Sequence, residues 1–284
     1  MPASAAPWVI AADTRAGAIA RTAEVWQYRR ILWFFAIKSV QSLYAKTRLG
    51  VWWVFIRTLV PLGVGSYVFG TVMDVPSGGV PYFIFFLAGQ IPWNCFDGPL
   101  IRASRGLEGN RQLLTKLYVP RIILPIGHMA AGIVEPLIIL LVLLGSVAYY
   151  RRTDGVWYIG LEWRLLAAVA AVFVVLLFAF ALSLWTSVWQ ARARDARFVL
   201  RYVVSFWMFF TPVIYPMSVV PDHSRWLMYL NPLTAPVETF RWALLPGMEH
   251  SWGWFAYSIA ITLLVLGAGA WYFARAESTT IDKL

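Results

Sequence analysis

From Leu165 to Trp189 the chain carries no charged side chain at all. An apolar run of about twenty residues is long enough, as a helix, to cross the roughly 30 Å of a bilayer's hydrocarbon core. Lipid offers the backbone no hydrogen bonds, so a lone segment satisfies its own N–H and C=O groups there only as a helix. Five further windows have the same character: Gly50–Met73, Val80–Ile101, Ile122–Tyr150, Val199–Val220 and Trp254–Phe273. Composition agrees with them. Hydrophobic residues make up 60% of the 284 positions and charged ones 13%, against about half and about a quarter in an ordinary soluble domain. A water-solvated globule could not hide that apolar surface, and a disordered chain would be poor in it. The sequence therefore predicts an all-α integral membrane protein, a single transmembrane domain over 1–284 with six transmembrane helices across 50–273.

The basic residues orient these helices. Eighteen of the 24 Lys and Arg residues lie before the first window, between the second and third, between the fourth and fifth, or in the tail. Five lie on the opposite side. Positive charge collects on the cytoplasmic side, so both termini are expected there. The same clustering accounts for the net charge of +10 through an anionic leaflet, without nucleic acid. The 16 Trp, 13 Tyr and 18 Phe suit the membrane–water boundary. No basic start or apolar stretch precedes residue 25, so no cleaved signal peptide is expected. Cys95 is the one cysteine, which excludes an intramolecular disulfide.

Two segments do not read as spans. In 20–48 the run Ile31–Ile37 is too short to cross and is bracketed by Arg29, Arg30 and Lys38. An amphipathic helix in the cytoplasmic interface, with Trp26, Trp33 and Phe34 dipped into lipid, fits better than a soluble helix with a sticky face. In 221–253, apolar residues recur at helix-like intervals between Pro221, Pro232, Pro236 and Pro246. Two short re-entrant helices joined near Asn231-Pro232, on the external side, are expected. The fifth window is interrupted by Thr211-Pro212 and Tyr215-Pro216, so that span ends or bends there.

Catalytic chemistry is sparse. There is no G-x-x-x-x-G-K-[ST] phosphate loop, no H-E-x-x-H, and no cysteine or histidine cluster. An ionisable residue at membrane depth costs about 2.5–3.5 kcal/mol, so Arg57, Asp97 and Glu135 need an explanation. They either line a polar pathway, or Arg57 pairs with an acid between packed helices or snorkels to the surface. Aromatic residues leave a similar choice. Trp93 and Phe96 are one helical turn apart, and Phe206 and Phe210 likewise, with Trp207 beside them and Tyr215 beyond. Their rings could stack on the apolar faces of sugars and form a track for a polysaccharide, or simply pack against helices and lipid.

The stretch from Pro81 to Pro125 resembles a known family. PYFIFFLAGQIPWNCF and NRQLLTKLYVPRIILP are similar to two segments of the membrane subunit of type-2 ABC exporters for lipid-linked polysaccharide, the group that serves O-antigen, capsular polysaccharide and teichoic acid. Leu49-Gly50 with Trp53, the Arg194–Arg197 segment, Thr211–Pro216, and Asn231-Pro232-Leu233 followed by Glu238, Phe240 and Arg241 extend the resemblance over about residues 20 to 284. Thr58 stands where the family commonly carries proline, and the nearest proline is Pro61, which leaves the shape of the first span open.

The resemblance implies a channel-forming permease and not an enzyme. A homodimer would carry the channel between its protomers in a bacterial inner membrane. Two copies of a separate ABC ATPase would bind the ATP and Mg, with no cofactor held by this chain. Coupling to the ATPase would fall on the helix loop 106–121, through Glu108, Leu113, Leu114, Lys116, Tyr118, Pro120 and Arg121. Arg48 and Arg57 would meet the diphosphate head of a polyprenyl-linked cargo. Trp93, Phe96, Phe206, Trp207, Phe210 and Tyr215 would line the channel, and Asn231, Pro232, Glu238 and Arg241 would form an external gate. The alternatives are an exporter of a small molecule such as a drug, or an integral-membrane glycosyltransferase. The latter would need paired acids in an aqueous-facing loop, and none is evident.

Overall fold

The structure is a computed structural model that describes residues 26–43, 45, 48–50, 52–110, 119–160, 163–193 and 195–279. Every regular element among them is helical. In chain order they are α1 (Arg29–Gln41), α2 (Trp52–Tyr67), α3 (Tyr82–Ser104), α4 (Ile123–Gly132), α5 (Val134–Asp154), α6 (Leu165–Arg192), α7 (Ala196–Trp207), α8 (Asp222–Tyr229), α9 (Thr234–Leu244) and α10 (Trp252–Thr279). A π turn, Val68–Val72, prolongs α2, and a 3-10 turn, Met208–Phe210, prolongs α7.

Four helical runs among the described residues are long and apolar enough to cross a membrane: Trp52–Val72, Ile123–Asp154, Leu165–Arg192 and Trp252–Ala276. They correspond to the first, third, fourth and sixth predicted windows. The second and fifth windows behave differently, each for a physical reason. Helix α3 has the length of a span, but Gln90, Asn94, Asp97 and Arg102 dilute its apolar character. It tolerates them because it is the hub: α4, α5, α6 and α9 pack around it, and Ile84, Phe85, Leu87, Phe96 and Leu100 are sealed from solvent. A helix that meets few lipid tails needs no continuous apolar coat. In the fifth window α7 stops at Trp207, one 3-10 turn follows, and Thr211 turns extended ahead of Pro212. Proline disfavours a helical conformation in the residue before it.

Close packing replaces the hydrophobic effect as the force between helices, because lipid tails are as apolar as the side chains. Small residues therefore sit at the contacts. On α6, Ala168, Ala171 and Ala179 are buried in the main core, while Gly269 of α10 lies against the Ala181 carbonyl and the Trp185 ring. Between α3 and α6 the Ser104 and Thr186 hydroxyls are 2.5 Å apart, one donating to the other. Helix α1 rests on α4 through Phe35, and the Ser39 hydroxyl donates to the Gly127 carbonyl at 3.1 Å. Trp26, Trp33 and Phe34 point away from that contact and are exposed.

The tightest approach joins α3 to the α4–α5 kink. Pro136 has no N–H to give to the Gly132 carbonyl one turn back, so the helix bends there. A Cβ on Gly98 would fall 2.8 Å from that carbonyl oxygen, and one on Gly132 would overlap the Pro99 backbone. Gly132→Ala should thus destabilise the protein by the roughly 1–3 kcal/mol typical of overpacking. A thermal melt of the detergent-solubilised protein should show a lower midpoint. Gly145→Ala, where nothing lies within 4 Å of the added Cβ, should not lower it.

Candidate transport site

Where the fifth window breaks, the backbone leaves the helix and its carbonyls lose their intrahelical donors. Two side chains from beyond residue 230 replace those donors. Asn231, at the junction of α8 and α9, donates from Nδ2 to the Phe210 carbonyl at 3.0 Å and to the Thr211 hydroxyl at 2.8 Å. Its Oδ1 accepts from Trp207 Nε1 at 3.0 Å and from the Leu233 N–H at 3.1 Å. Arg241 of α9 is 2% exposed. Its Nη1 donates to the Pro212 carbonyl and its Nη2 to the Val213 carbonyl. The guanidinium carbon lies 3.9 Å from the centroid of the Phe85 ring on α3. Tyr82, also on α3, donates its hydroxyl to the Ile214 carbonyl at 2.7 Å. Backbone that leaves a helix away from water needs protein partners, and here α3 and α9 supply them: Thr211 and Val213 are sealed from solvent. Pro232 is half-buried beside Asn231, and Glu238 accepts a 2.6 Å hydrogen bond from Tyr229, whose ring stacks on Trp254. The four expected gate residues thus stand together at the α8–α9 junction and along α9.

Charged groups gather at the end of the bundle where α3 finishes. Arg57 of α2 forms an ion pair with Glu135, and Arg102 of α3 lies 3.6 Å from the same carboxylate. Glu135 occupies the first turn of α5, where the helix dipole favours an anion. Arg57 therefore pairs with an acid between packed helices. Arg48 is exposed and is not part of this group. Arg105, just past α3, shares a groove with Arg197 and Arg201 of α7, together with Glu108, Gly109 and Phe198. Burial, and then the like charges of Arg201 and Arg197, pull Arg105 below the usual guanidinium range.

The expected channel aromatics divide into two sets. Trp93 and Phe96 are buried; Phe96 stacks on Phe178 at 5.7 Å and meets Trp207 edge-on at 5.5 Å. These rings form a core within one chain. Phe206 and Phe210 are exposed, at 50% and 64%, and Tyr215 is half-buried with its hydroxyl donating to the Phe209 carbonyl at 2.9 Å. Of the expected coupling residues, Glu108, Pro120 and Arg121 are half-buried at the margins of their loop. Leu113, Leu114, Lys116 and Tyr118 lie outside the described residues. Among the described residues no group of three His, Cys, Asp or Glu side chains could hold a metal ion.

Sequence reasoning did not single out Tyr82 or Thr211 as supports of the break, nor the convergence of Arg105 with Arg197 and Arg201. Arg197 and Arg201 are one turn apart, which was a signal; Arg105 lies in a separate loop, and no local pattern ties it to them.

The fold and these groupings define a multi-pass membrane protein with a broken, internally supported helix and a basic end. Residues 31–245 match the family model for the ABC-2 type transporter, and the chain belongs to that family as its membrane permease component. It is similar to the O-antigen export system permease protein RfbA of Myxococcus xanthus, 27% identical over 221 residues, which are 77% of this chain and 81% of the relative. The RfbA protein of Klebsiella pneumoniae is 23% identical over 81% of this chain and 86% of its own length. The polysialic acid transport protein KpsM of Escherichia coli is 25% identical over 85% of this chain and 92% of its own.

Arg241 is expected to be the most sensitive position of the break. Arg241→Met would orphan the Pro212 and Val213 carbonyls, at about 1–3 kcal/mol for each buried acceptor. The variant should accumulate poorly and melt early in detergent. Arg241→Lys, which can supply donors but not a planar fork, should fall between it and the wild type. A wild-type melting curve for Arg241→Met would show that other groups carry the break.

Proposed function

We propose that this chain is the transmembrane subunit of an ATP-driven exporter that moves a lipid-linked, O-antigen-like polysaccharide across the inner membrane of a bacterium. The observation that carries the reading is the match, over more than three quarters of the chain, to proteins named for O-antigen export and for polysialic acid transport. Two copies form the channel between them, and two copies of a separate ABC ATPase bind ATP and Mg and drive it. The chain crosses the membrane six times, with both termini in the cytoplasm and α1 in the inner interface. An uncovered apolar helix supports the pairing of protomers: Trp52, Val60, Val64 and Tyr67 on α2 are each more than half exposed.

The loop 106–121 docks on the ATPase and passes its motion to α3 and α4, the two helices it joins. Phe206, Phe210 and Tyr215 face the polymer, backed by the Trp93–Phe96–Trp207 core. The α8–α9 hairpin dips into the outer leaflet and gates the exit through Asn231, Pro232, Glu238 and Arg241. Opening there loosens the hold of Asn231 and Arg241 on the helix break.

Deleting the gene should leave lipid-linked polysaccharide inside the inner membrane and remove it from the cell surface, measured by surface labelling and by extraction of the lipid-linked pool. An unchanged surface polymer would overturn the reading. Leu114→Asp would place a charge in an apolar docking cleft, at several kcal/mol if unpaired. Membrane insertion should survive, while polymer export and stimulated ATP hydrolysis fall together. Topology is tested by single cysteines in a Cys95→Ala background. Labels at Asp154 and Glu249 should react with an impermeant reagent in intact cells, and labels at Gly109 and Ala193 should not.

A further inference from the structure

The groove beside the end of α3 has a volume of about 450 Å³ and is lined by Arg105, Glu108, Gly109, Arg197, Phe198 and Arg201. That is within the roughly 300–1,000 Å³ of small-molecule sites. Three guanidinium groups from two elements face one space, and none of them forms an ion pair with a carboxylate among the described residues. Arg197 Nε is buried and has no hydrogen-bond partner among the described residues. Asp97, on α3, lies within electrostatic reach of Arg201, and Glu108 within reach of Arg105, so the groove holds more positive than negative charge. Like charges crowded together repel each other, and a site built this way is completed by an anion. A guanidinium fork suits phosphate oxygens, which accept two parallel hydrogen bonds from it.

The surroundings add a second requirement. Arg197 and Arg201 are four residues apart on α7, so they share one face. Phe198, Tyr202 and Phe206 repeat the same spacing on the adjoining face, and all three are at least half exposed. The Tyr202 and Phe206 rings are 4.7 Å apart. A cationic stripe and an aromatic stripe thus run side by side from the groove along α7, one suited to a phosphate group and the other to a hydrocarbon chain. A free anion would use only the first of them.

We propose that this groove binds the diphosphate head of a membrane lipid, with Arg105, Arg197 and Arg201 on the phosphates and the lipid's chain along Phe198, Tyr202 and Phe206. The assignment rests on the exporter reading in that it identifies the head with that of the polyprenyl carrier, and it moves the head site away from Arg48 and Arg57. Arg57 is already committed to Glu135. Arg105 and Gly109 tie the site to the start of loop 106–121, so a bound head would touch the segment that couples to the ATPase.

The test measures binding of a fluorescent long-chain polyprenyl diphosphate to the purified protein in nanodiscs of zwitterionic lipid. The wild type should bind it, and inorganic pyrophosphate should compete. Arg197→Gln with Arg201→Gln should weaken binding by about tenfold or more, the scale of losing one charge-assisted hydrogen bond. Arg197→Lys with Arg201→Lys should lose less, and Arg151→Gln with Arg152→Gln, at the far end of α5, should bind as the wild type does. Matching melting curves show that the glutamine pair still folds; should it not, Arg201→Gln alone, at an exposed position, carries the test. Equal binding by wild type and the glutamine variant overturns the site, as does absence of wild-type binding. Displacement by an equal mole fraction of phosphatidylglycerol also overturns it, by making the groove a general anionic-lipid site. The gene deletion separates the two readings: lost surface polymer together with unaffected binding removes this groove and leaves the exporter standing.

Discussion

The arginine at position 241 holds the most demanding piece of this structure in place. A helix interrupted in a buried core has carbonyls that water cannot reach, each a penalty of kcal/mol size unless a protein donor meets it. Arg241 takes two of them, Asn231 and Tyr82 take their neighbours, and Phe85 covers the guanidinium. The elements that supply these groups are thereby fixed: α9 must lie against α3, and the α8–α9 junction must reach the end of α7. A planar donor fork does this better than an ammonium could, because the two carbonyls belong to successive residues and present their oxygens side by side.

The same logic explains why the polar residues of this chain concentrate on its central helix. Gln90, Asn94, Asp97 and Arg102 would be costly on a lipid-facing helix, yet α3 is enclosed by α4, α5, α6 and α9. Apolar character is needed on the outside of a membrane bundle, where α6 and α10 provide it. Polar groups are free to serve inside. The basic groove and the Arg57–Glu135–Arg102 group both lie where α3 ends, so the hub also gathers the charge.

Much of this was legible in the sequence, and the exceptions have physical causes. The charge-free run starting at Leu165 became α6, Leu165–Arg192, because nothing but a helix can hide its backbone in lipid. The break at Thr211-Pro212 was visible because proline acts locally. Its supports were not, since Arg241 and Tyr82 come from sequence-distant elements. An acid beside Arg57 was one of the readings that the cost of a bare charge left open, and nothing in the sequence named Glu135 as that acid. The aromatic residues were hardest. Helical spacing shows that Trp93 shares a face with Phe96, and Phe206 with Phe210, but not that Phe96 turns to its own core while Phe206 turns outward.

The pairing of Arg57 with Glu135 also bears on how the protein is made. The two residues are 78 positions apart, and the arginine leaves the ribosome first. Until α5 follows, α2 carries a cation without its anion, a handicap relieved only by reaching back to water from near the helix end. A nascent α2 therefore keeps its arginine in water. Arrival of the glutamate removes that handicap and lets α2 settle laterally against α3 and α5. The order of synthesis and the ion pair together mean that the first hydrophobic helix takes its final place only after α5 has emerged.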